Sequence, residues 1–315
     1  MKVCFVGIGS IAKRHIRNLN QLCAERNISL QIDALRRNFS SDSNNLPEQI
    51  KDVYYSTDNL PSDYDVIFLT NPTEYHADML YLLHDKAQHF FVEKPVTSLS
   101  TIDKLNTINY RESSIYYVAC PLRYNKVIQY IKNNIDTSTV NGVRSISSSY
   151  LPEWRPGTDY RNTYSAHKEL GGGVSIDLIH EWDYLTYIFG FPKDLKYFKG
   201  KASNLEINSD DFAIYIATYD SMTVELHLDY YGRQPIRKME IFTNDDTIIA
   251  DLIEGTITYL KSDKTIDLRE DRDSFQIKEL NHFLDLIEQN ESSSNDIYNA
   301  VKVLQLTQGT LRKDS

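Results

Sequence analysis

The sequence predicts an α/β protein with two domains, a doubly wound parallel sheet followed by an α+β domain that contains an open, mostly antiparallel sheet. Up to about residue 121, short apolar runs alternate with segments of helical periodicity, as they do when helices join parallel strands. Residues 196–268 instead form strand-like runs separated by polar turns, which is typical of an antiparallel meander. Since 315 residues are too many for one small core, we expect domains at residues 1–121 and 122–315.

Composition limits the classes of protein to which the chain can belong. The hydrophobic share of 41% and the charged share of 25% are those of a globular protein. A formal net charge of −10 argues against a nucleic-acid-binding surface, which needs basic patches. The three cysteines are scattered and predict neither a disulfide framework nor a metal site. No apolar run approaches the ~20 residues of a membrane span and no signal-peptide pattern is present, so we expect no membrane partner and a cytoplasmic location.

The first apolar run, residues 2–6, leads into the pattern G-x-G-x-x-A at residues 7–12, and a helical pattern follows. A strand, a glycine turn and a helix in this order form the context in which the pattern binds a dinucleotide. Gly7 would allow the tight turn and Gly9 the close approach of a pyrophosphate, while the helix start at Ser10 and Ile11 would face the phosphates. The alternative is a purely structural glycine turn.

The second predicted strand, residues 30–35, ends at Arg36 and Arg37. An acidic residue at this position usually binds the ribose diol of NAD, whereas an arginine accommodates the 2′-phosphate of NADP. Asp33 lies about three residues too early for the first role. We therefore expect NADP, with NAD as the alternative cofactor and two solvated arginines as the structural alternative. Residues 40–45, rich in Ser, Asn and Asp, are expected to form a loop.

Two further loops follow predicted strands, where doubly wound sheets bind ligands. The residues of interest in them are Thr70, Asn71, Pro72 and His76 in the first, and Glu93, Lys94 and Pro95 in the second. A lysine at a strand end beside a bound nicotinamide can donate a hydrogen bond to a substrate oxygen. Taken alone, however, Glu93 and Lys94 are more simply explained as a surface ion pair.

The glycine triad at residues 171–173 precedes an acid and a base, Asp177 and His180. Glycines permit tight turns and the close approach of another molecule. If one helix begins here, a spacing of three puts the carboxylate and the imidazole on the same helix face. This arrangement suits proton transfer. The alternative is a glycine turn entering an amphipathic helix that carries a buried structural histidine.

The loop before the triad, residues 151–161, combines aromatic and basic side chains. Trp154 or Tyr160 can stack on a sugar or nucleobase face. Arg155 and Arg161 can bind a phosphate or a carboxylate. In an acidic protein these arginines indicate an anionic substrate, such as a nucleotide-activated or acidic sugar. The alternative is an ordered, proline-rich loop held by a buried tryptophan.

Taken in order, these motifs resemble the Gfo/Idh/MocA family of sugar and polyol oxidoreductases. The resemblance spans essentially the whole chain, and Glu93-Lys94-Pro95 at this distance from the N-terminus is its most specific part. It implies an N-terminal Rossmann domain and a C-terminal α+β domain whose open sheet forms a homodimer or homotetramer interface. It also implies a tightly held nicotinamide cofactor and hydride transfer at a hydroxyl or carbonyl group of a sugar.

The resemblance assigns roles to residues as well. Lys94 would be the catalytic lysine, and Asp177 and His180 the other polar members of the site. Arg123, in an Arg-Tyr-Asn sequence, would lie near the nicotinamide half of the cofactor. Many family members separate the Asp and the His by four positions, whereas here the spacing is three, a departure that bears on Asp177. The predicted cofactor-binding residues are Gly7, Gly9, Ser10, Ile11, Arg36, Arg37, Thr70, Asn71, Pro72, His76, Glu93, Lys94 and Arg123.

The predicted function is therefore an NADP- or NAD-dependent oxidation or reduction of a sugar or nucleotide-activated sugar, of the kind found in surface-polysaccharide metabolism. His180 is the favoured general base, Lys94 polarises the same oxygen, and Asp177 orients a neighbouring group. One alternative is a transient oxidation that enables elimination or glycoside hydrolysis and then returns the hydride. Another is a non-catalytic regulatory protein that senses the dinucleotide.

Overall fold

The computed structural model describes residues 1–37 and 46–311, and these form two compact units. The first unit comprises Met1–Cys120 and Gln276–Val301, and the second comprises Pro121–Phe275 together with the chain from Lys302 onward. The loop predicted at residues 40–45 lies outside the described residues. Within the described ranges, no helix has the length and apolar character needed to cross a membrane.

The first unit is built on a six-stranded parallel sheet with the strand order β3-β2-β1-β4-β5-β6. Its elements are β1 (Lys2–Val6), α1 (Ser10–Glu25), β2 (Gln31–Leu35), β3 (Ile50–Tyr54), β4 (Tyr64–Leu69), α2 (His76–Leu83), β5 (Ala87–Val92), α3 (Ile102–Leu105) and β6 (Tyr116–Val118). The strand order reverses between β1 and β4. The carboxyl ends of these two strands therefore flank the crevice in which such sheets bind ligands.

The second unit contains an eight-stranded sheet with the order β14-β13-β12-β11-β7-β10-β9-β8. The chain continues through α4 (Lys126–Asn134), β7 (Val140–Tyr150), α5 (Val174–Asp177), α6 (His180–Phe189), β8 (Asp194–Gly200), β9 (Phe212–Thr218), β10 (Thr223–Asp229), β11 (Tyr231–Thr243), β12 (Thr247–Asp251), β13 (Thr256–Tyr259), β14 (Lys264–Asp267), α7 (Ser274–Gln289) and α8 (Ile297–Leu306). Only β7 and β10 pair in parallel, and the other neighbours are antiparallel. The predicted fold class, with a parallel sheet followed by a mostly antiparallel one, is confirmed.

The core of the first unit includes a helix that we did not expect there. The sequence analysis assigned residues 122–315 to one domain, but residues 276–301, which include most of α7, belong to the first unit. Leu280 and Phe283 of α7 are fully buried, and the Phe283 ring meets that of Phe91 at a centroid distance of 5.2 Å. The apolar stripe of α7 is visible in the sequence, but a stripe does not say which sheet it covers.

The large sheet of the second unit has two different faces, because side chains alternate along its strands. Tyr215 of β9 is fully buried on one face, where its ring meets the ring of Trp182 from α6 at 5.3 Å. On the other face, Ile216 and Phe198 are 48% and 69% exposed. We call this second surface the open face of the sheet.

Candidate active site

The first glycine turn lies at the carboxyl end of β1 and is tied to the end of β4. Gly7 has φ +83°, and a Cβ at this position would lie 2.8 Å from the Cα of Asn71. The hydroxyl of Thr70 donates to the carbonyl oxygen of Gly7 at 2.7 Å and to that of Val6 at 3.0 Å. Residue 7 therefore has to be glycine, and the Thr70 hydroxyl holds the turn in place.

The start of α1 presents backbone that suits an anion. Within residues 1–37, no side chain caps the start of this helix and no acidic residue lies in its first turn, which contains Ser10 and Ile11. A Cβ at Gly9, the N-cap, would point into open space among the described residues. Free N–H groups at the positive end of a helix dipole attract phosphate groups. The pyrophosphate of a dinucleotide therefore fits this turn.

The side chains near the end of β2 differ in what they can contact. Asp33 is fully buried and accepts a hydrogen bond from the Tyr64 hydroxyl at 2.8 Å, so it does not reach the strand end. Arg37 is exposed, donates to the Tyr75 hydroxyl at 2.9 Å and lies 5.0 Å from the centre of that ring. Arg36 is half-buried beside it. A guanidinium group on an aromatic ring offers both charge and a flat surface, as an adenosine phosphate requires.

His76 connects the loops that follow β4 and β5. Its Nε2 lies 2.9 Å from the carbonyl oxygen of Asn71, and its Nδ1 lies 3.0 Å from that of Pro95. Burial lowers the pKa of His76, although the two carbonyl oxygens act in the opposite direction. Pro72 follows Asn71 and leads into a short 3-10 turn. The imidazole therefore fixes the two loops to each other from inside the protein.

Lys94 follows β5 and is half-buried. Its backbone N–H donates to Oε2 of Glu93 at 3.2 Å, and Oε1 of Glu93 lies 2.5 Å from Nε2 of His15 in α1. Burial alone would raise the pKa of Glu93, but its hydrogen bond to His15 and the nearby positive charges hold that pKa below the ordinary value. The Glu93 carboxylate is thus ionised at neutral pH and engaged with α1.

In the second unit, each glycine of the triad has its own structural reason. Gly171 has φ +79° and ends a short 3-10 turn. A Cβ at Gly172 would overlap the carbonyl oxygen of Tyr164. Gly173 has φ +131°, and a Cβ there would lie 2.5 Å from a carboxylate oxygen of Asp210. The triad thus lets the chain pack directly on the Tyr164 segment before α5 begins.

The single helix on which Asp177 and His180 would share one face does not form. α5 ends at Asp177 and α6 begins at His180, because Leu178 leaves helical geometry with φ −95° and ψ 28°. Asp177 is buried, whereas His180 is half-buried at the first position of α6. The two side chains are therefore held by different helices of the second unit.

Two tyrosines that the sequence analysis did not single out lie close to the Asp177 carboxylate. The Tyr230 hydroxyl donates to Oδ2 at 2.5 Å. Burial and the adjacent carboxylate raise the pKa of both the Tyr230 and the Tyr164 phenol. Both hydroxyls therefore stay protonated near neutral pH, and that of Tyr230 is a donor to Asp177.

Two ion pairs, one of them buried and the other with a half-buried arginine, fix the helix that begins at His180. Nε of Arg123 donates to both carboxylate oxygens of Asp183 at 3.1 and 2.9 Å, and Nη2 donates to one of them at 2.6 Å. Nε of Arg237 lies 3.0 Å from Oε1 of Glu181, which is fully buried. Removing one partner of such a pair costs about 3–5 kcal/mol. Arg123, which we predicted to lie near the cofactor, is thus engaged with α6.

The aromatic side chains of the loop at residues 151–161 are partly occupied within the protein. Trp154 is half-buried, meets the Tyr230 ring edge-on at 5.2 Å and donates from Nε1 to the Ser149 hydroxyl at 2.9 Å. The Tyr160 hydroxyl accepts a hydrogen bond from the backbone N–H of Glu206 at 3.1 Å. Both residues therefore shape the loop, whatever they bind.

The two arginines of this loop are in different electrostatic states. Arg161 forms ion pairs with Asp159 at 2.8 Å and with Glu206 at 2.9 Å, so its charge is neutralised. Arg155 is exposed and lies 5.3 Å from the ring centre of Tyr164. It forms no ion pair with any residue in the ranges 1–37 and 46–311. Arg155 is therefore the cation of this loop that is available to an anion.

The residues that sequence reasoning missed are His15, Tyr164 and Tyr230. His15 lies 78 positions from Glu93, and Tyr230 lies 53 positions from Asp177, so no local pattern connects either pair. The chain contains 22 tyrosines, which gives none of them prominence. Only Tyr164 had a usable signal, its position shortly before the glycine triad.

Comparison with known proteins relates the chain to oxidoreductases. Residues 1–120 match the model of the family GFO_IDH_MocA, described as an oxidoreductase family with an NAD-binding Rossmann fold. The sequence is 25% identical over 257 residues to YrbE of Bacillus subtilis (strain 168), an uncharacterized oxidoreductase. That match covers 78% of this chain and 72% of YrbE.

Solved structures with a similar fold cover nearly the whole chain. UDP-N-acetylglucosamine 3-dehydrogenase from Acidithiobacillus ferrooxidans matches with a TM-score of 0.78 at 19% identity, over 98% of this chain and 95% of that one. Levoglucosan dehydrogenase in complex with NADH matches with a TM-score of 0.83 at 13% identity, over the same shares of the two chains. At these identities, the likeness concerns the fold.

Proposed function

We propose that the chain is a dehydrogenase acting on a sugar hydroxyl group, because residues 1–120 match the model of the Gfo/Idh/MocA oxidoreductase family with its NAD-binding Rossmann fold. In the oxidising direction, a CH–OH group of the sugar loses a hydride from carbon and a proton from oxygen, and becomes a carbonyl. The nicotinamide cofactor, when bound, supplies the hydride acceptor. The residues of this chain bind and orient the reactants and carry the proton.

The observation that carries the proposal is the backbone turn between β1 and α1. It is open at Gly9, free of acidic side chains in the first turn of α1, and fixed at Gly7 against the end of β4. We propose that Gly7, Gly9, Ser10 and Ile11 bind the pyrophosphate. Asn71, Pro72 and Lys94 line the adjacent strand ends, whereas Thr70, His76 and Glu93 act on the cofactor through the segments that they hold. Arg123 is committed to Asp183 of α6, and we expect no direct contact between it and the cofactor.

We propose NADP as the preferred cofactor. The support is the exposed guanidinium group of Arg37 on the Tyr75 ring, next to Arg36, together with the burial of Asp33. An arginine pair of this kind suits a 2′-phosphate, whereas a ribose diol needs a carboxylate at the strand end. Titration with NADPH and NADH tests the preference. Arg37→Ala should weaken NADPH binding and leave NADH binding nearly unchanged.

The proton transfer is assigned to three residues. His180 is the general base that takes the hydroxyl proton, and Lys94 donates a hydrogen bond to the reacting oxygen. Asp177 already accepts a hydrogen bond from the Tyr230 phenol, which supports an orienting role for it over that of a base. General acid–base catalysis of this kind contributes about 10²–10⁴-fold.

We propose that the substrate is a sugar or nucleotide-activated sugar. Two proteins of the same fold support this class, because their names describe dehydrogenases of UDP-N-acetylglucosamine and of levoglucosan. We also propose that the open face of the large sheet joins copies of the chain into a homodimer or homotetramer. The exposure of Ile216 and Phe198 on that face supports this role.

The experiment begins with native mass spectrometry of freshly purified protein, which reports a retained cofactor and the number of chains. Sugar-dependent reduction of NADP⁺ or NAD⁺ is then measured for the wild type and Lys94→Ala, with Lys104→Ala as the control. Lys104 is an exposed lysine paired with Asp78, so its loss should leave kcat unchanged.

We expect Lys94→Ala to lose at least ~10²-fold in kcat. A loss below tenfold with intact cofactor binding would overturn the role of Lys94. Release of a leaving group without net change in NAD(P)H would instead identify a transient oxidation.

A further inference from the structure

We infer that Tyr164 and Arg155 form a subsite for an oxyanion on the sugar substrate, either a carboxylate or a phosphate group. The inference rests on the proposed function, and it narrows the substrate class to acidic or phosphate-bearing sugars. It makes Tyr164 a substrate-binding residue that sequence reasoning missed. It also divides the two arginines of the loop into one that binds the ligand and one that is structural.

Tyr164 lies beside the Asp177 carboxylate and is partly open to solvent. Burial and this carboxylate raise the pKa of its phenol, and 45% of the residue is exposed. An aromatic ring with a fixed orientation and an accessible face can stack on a sugar ring with little loss of side-chain entropy. The exposed part of Tyr164 is therefore a ready binding surface.

The backbone of Tyr164 is fixed by its neighbours. Its carbonyl oxygen accepts from the backbone N–H of His167 at 3.0 Å. The same oxygen fills the space that a side chain at Gly172 would need. The glycine triad therefore fixes the position of Tyr164, which ties the most prominent sequence motif of this unit to the proposed subsite.

Arg155 supplies the positive charge of the proposed oxyanion subsite. Its guanidinium group lies 5.3 Å from the ring centre of Tyr164, and the side chain is exposed without an ion pair in the described part of the chain. The planar guanidinium fork binds carboxylate and phosphate oxygens in pairs. The chain has a formal net charge of −10, which on balance disfavours the binding of an anion. A free arginine beside an exposed aromatic ring is thus a selective place for one.

Arg161 is the matched control for Arg155, since it lies six positions away in the same loop and its charge is already neutralised. It forms ion pairs with Asp159 at 2.8 Å and with Glu206 at 2.9 Å. If any positive charge in the loop attracted the substrate, Arg155→Gln and Arg161→Gln would have similar effects. The inference predicts that they differ.

The test is calorimetric titration. The purified protein, which carries its retained cofactor, is titrated in turn with UDP-N-acetylglucosamine, glucuronate and uncharged N-acetylglucosamine. We expect at least one anionic ligand to bind more tightly than N-acetylglucosamine. Arg155→Gln should weaken the binding of that anionic ligand about 10- to 100-fold, the range expected for hydrogen bonds to charged groups. It should leave the affinity for N-acetylglucosamine unchanged. Arg161→Gln should change the affinity for neither the anionic ligand nor N-acetylglucosamine. The preferred anion, diphosphate or carboxylate, identifies the source of the charge.

Variants of Tyr164 test the ring separately from the hydroxyl. Tyr164→Leu should weaken the binding of both charged and uncharged ligands. Tyr164→Phe keeps the stacking surface and should bind these ligands nearly as well as the wild type. Thermal unfolding verifies that each variant is folded, and cofactor binding is measured in parallel.

Equal binding of charged and uncharged ligands by the wild type, or equal effects of Arg155→Gln and Arg161→Gln, overturns the inference. Because these are binding measurements, they are independent of turnover. Absence of any sugar-dependent NAD(P) reduction would contradict the proposed function and not the subsite.

Discussion

Nε2 of His15 lies 2.5 Å from Oε1 of Glu93, and the two side chains are only 2% and 13% exposed. His15 belongs to α1, at whose start we propose the pyrophosphate binds. The Glu93 carboxylate accepts a hydrogen bond from the backbone N–H of Lys94. One buried contact therefore connects the proposed phosphate-binding helix to the loop that carries the proposed catalytic lysine. Neither His15 nor Glu93 has to contact a ligand to affect both the start of α1 and the loop of Lys94.

Glu93→Gln should destabilise the protein by about 3 kcal/mol at neutral pH, because it removes one partner of a buried charged contact. The pKa of Glu93 is below its ordinary value, so the ionised carboxylate stabilises the fold above the unfolded-state pKa of about 4.3. This contribution is lost as the pH falls through the lowered folded-state pKa. The difference in thermal midpoint between wild type and variant should thus be large at neutral pH and shrink in acid.

Glu48→Gln provides the control for that comparison, since Glu48 is exposed. Its thermal midpoint should follow the wild type at every pH. A Glu93→Gln difference that stays constant down to about pH 3 would mean that the ionisation of Glu93 contributes nothing to stability.

The two glycines of the first turn should respond differently to alanine. A Cβ at Gly7 would lie 2.8 Å from the Cα of Asn71, and φ is +83°, so Gly7→Ala should lower stability as well as cofactor affinity. A Cβ at Gly9 would meet open space, so Gly9→Ala should keep the wild-type thermal midpoint. It should still weaken dinucleotide binding, by at least ~10-fold, because the methyl group occupies the path of the pyrophosphate. Fluorescence titration with NADPH measures this effect. Wild-type affinity in Gly9→Ala would place the phosphates elsewhere.

The parts of the fold that could be predicted are those in which a local pattern decides the outcome. β1 runs over Lys2–Val6, as its buried apolar run and the glycine after it indicate. The break between α5 and α6 was missed, since Leu178 and Ile179 are apolar and compatible with one continuous helix. Likewise, no pattern shows that Tyr230 bonds to Asp177 or that Tyr164 lies beside it, because both relationships depend on how distant segments pack.

Alanine at two neighbouring triad positions should separate backbone strain from steric overlap. At Gly171, with φ +79° and open space around a Cβ in the described structure, alanine should cost only the ~1–2 kcal/mol of a left-handed residue. At Gly172, a Cβ would overlap the Tyr164 carbonyl oxygen, so the backbone has to move. Gly172→Ala should thus lower the thermal midpoint further and also weaken sugar binding through Tyr164. Equal effects of the two substitutions would contradict the role given to Gly172.

The ion pair of Arg123 and Asp183 decides what Arg123 does. Arg123→Met or Asp183→Leu alone should cost about 3–5 kcal/mol, since each leaves an uncompensated buried charge, and the double variant should recover most of that loss. The recovered protein then allows the cofactor to be tested without the arginine. We expect its NADPH affinity to stay near that of the wild type, because the guanidinium group is committed to α6. A tenfold or larger loss of affinity in the stable double variant would instead support direct contact between Arg123 and the cofactor.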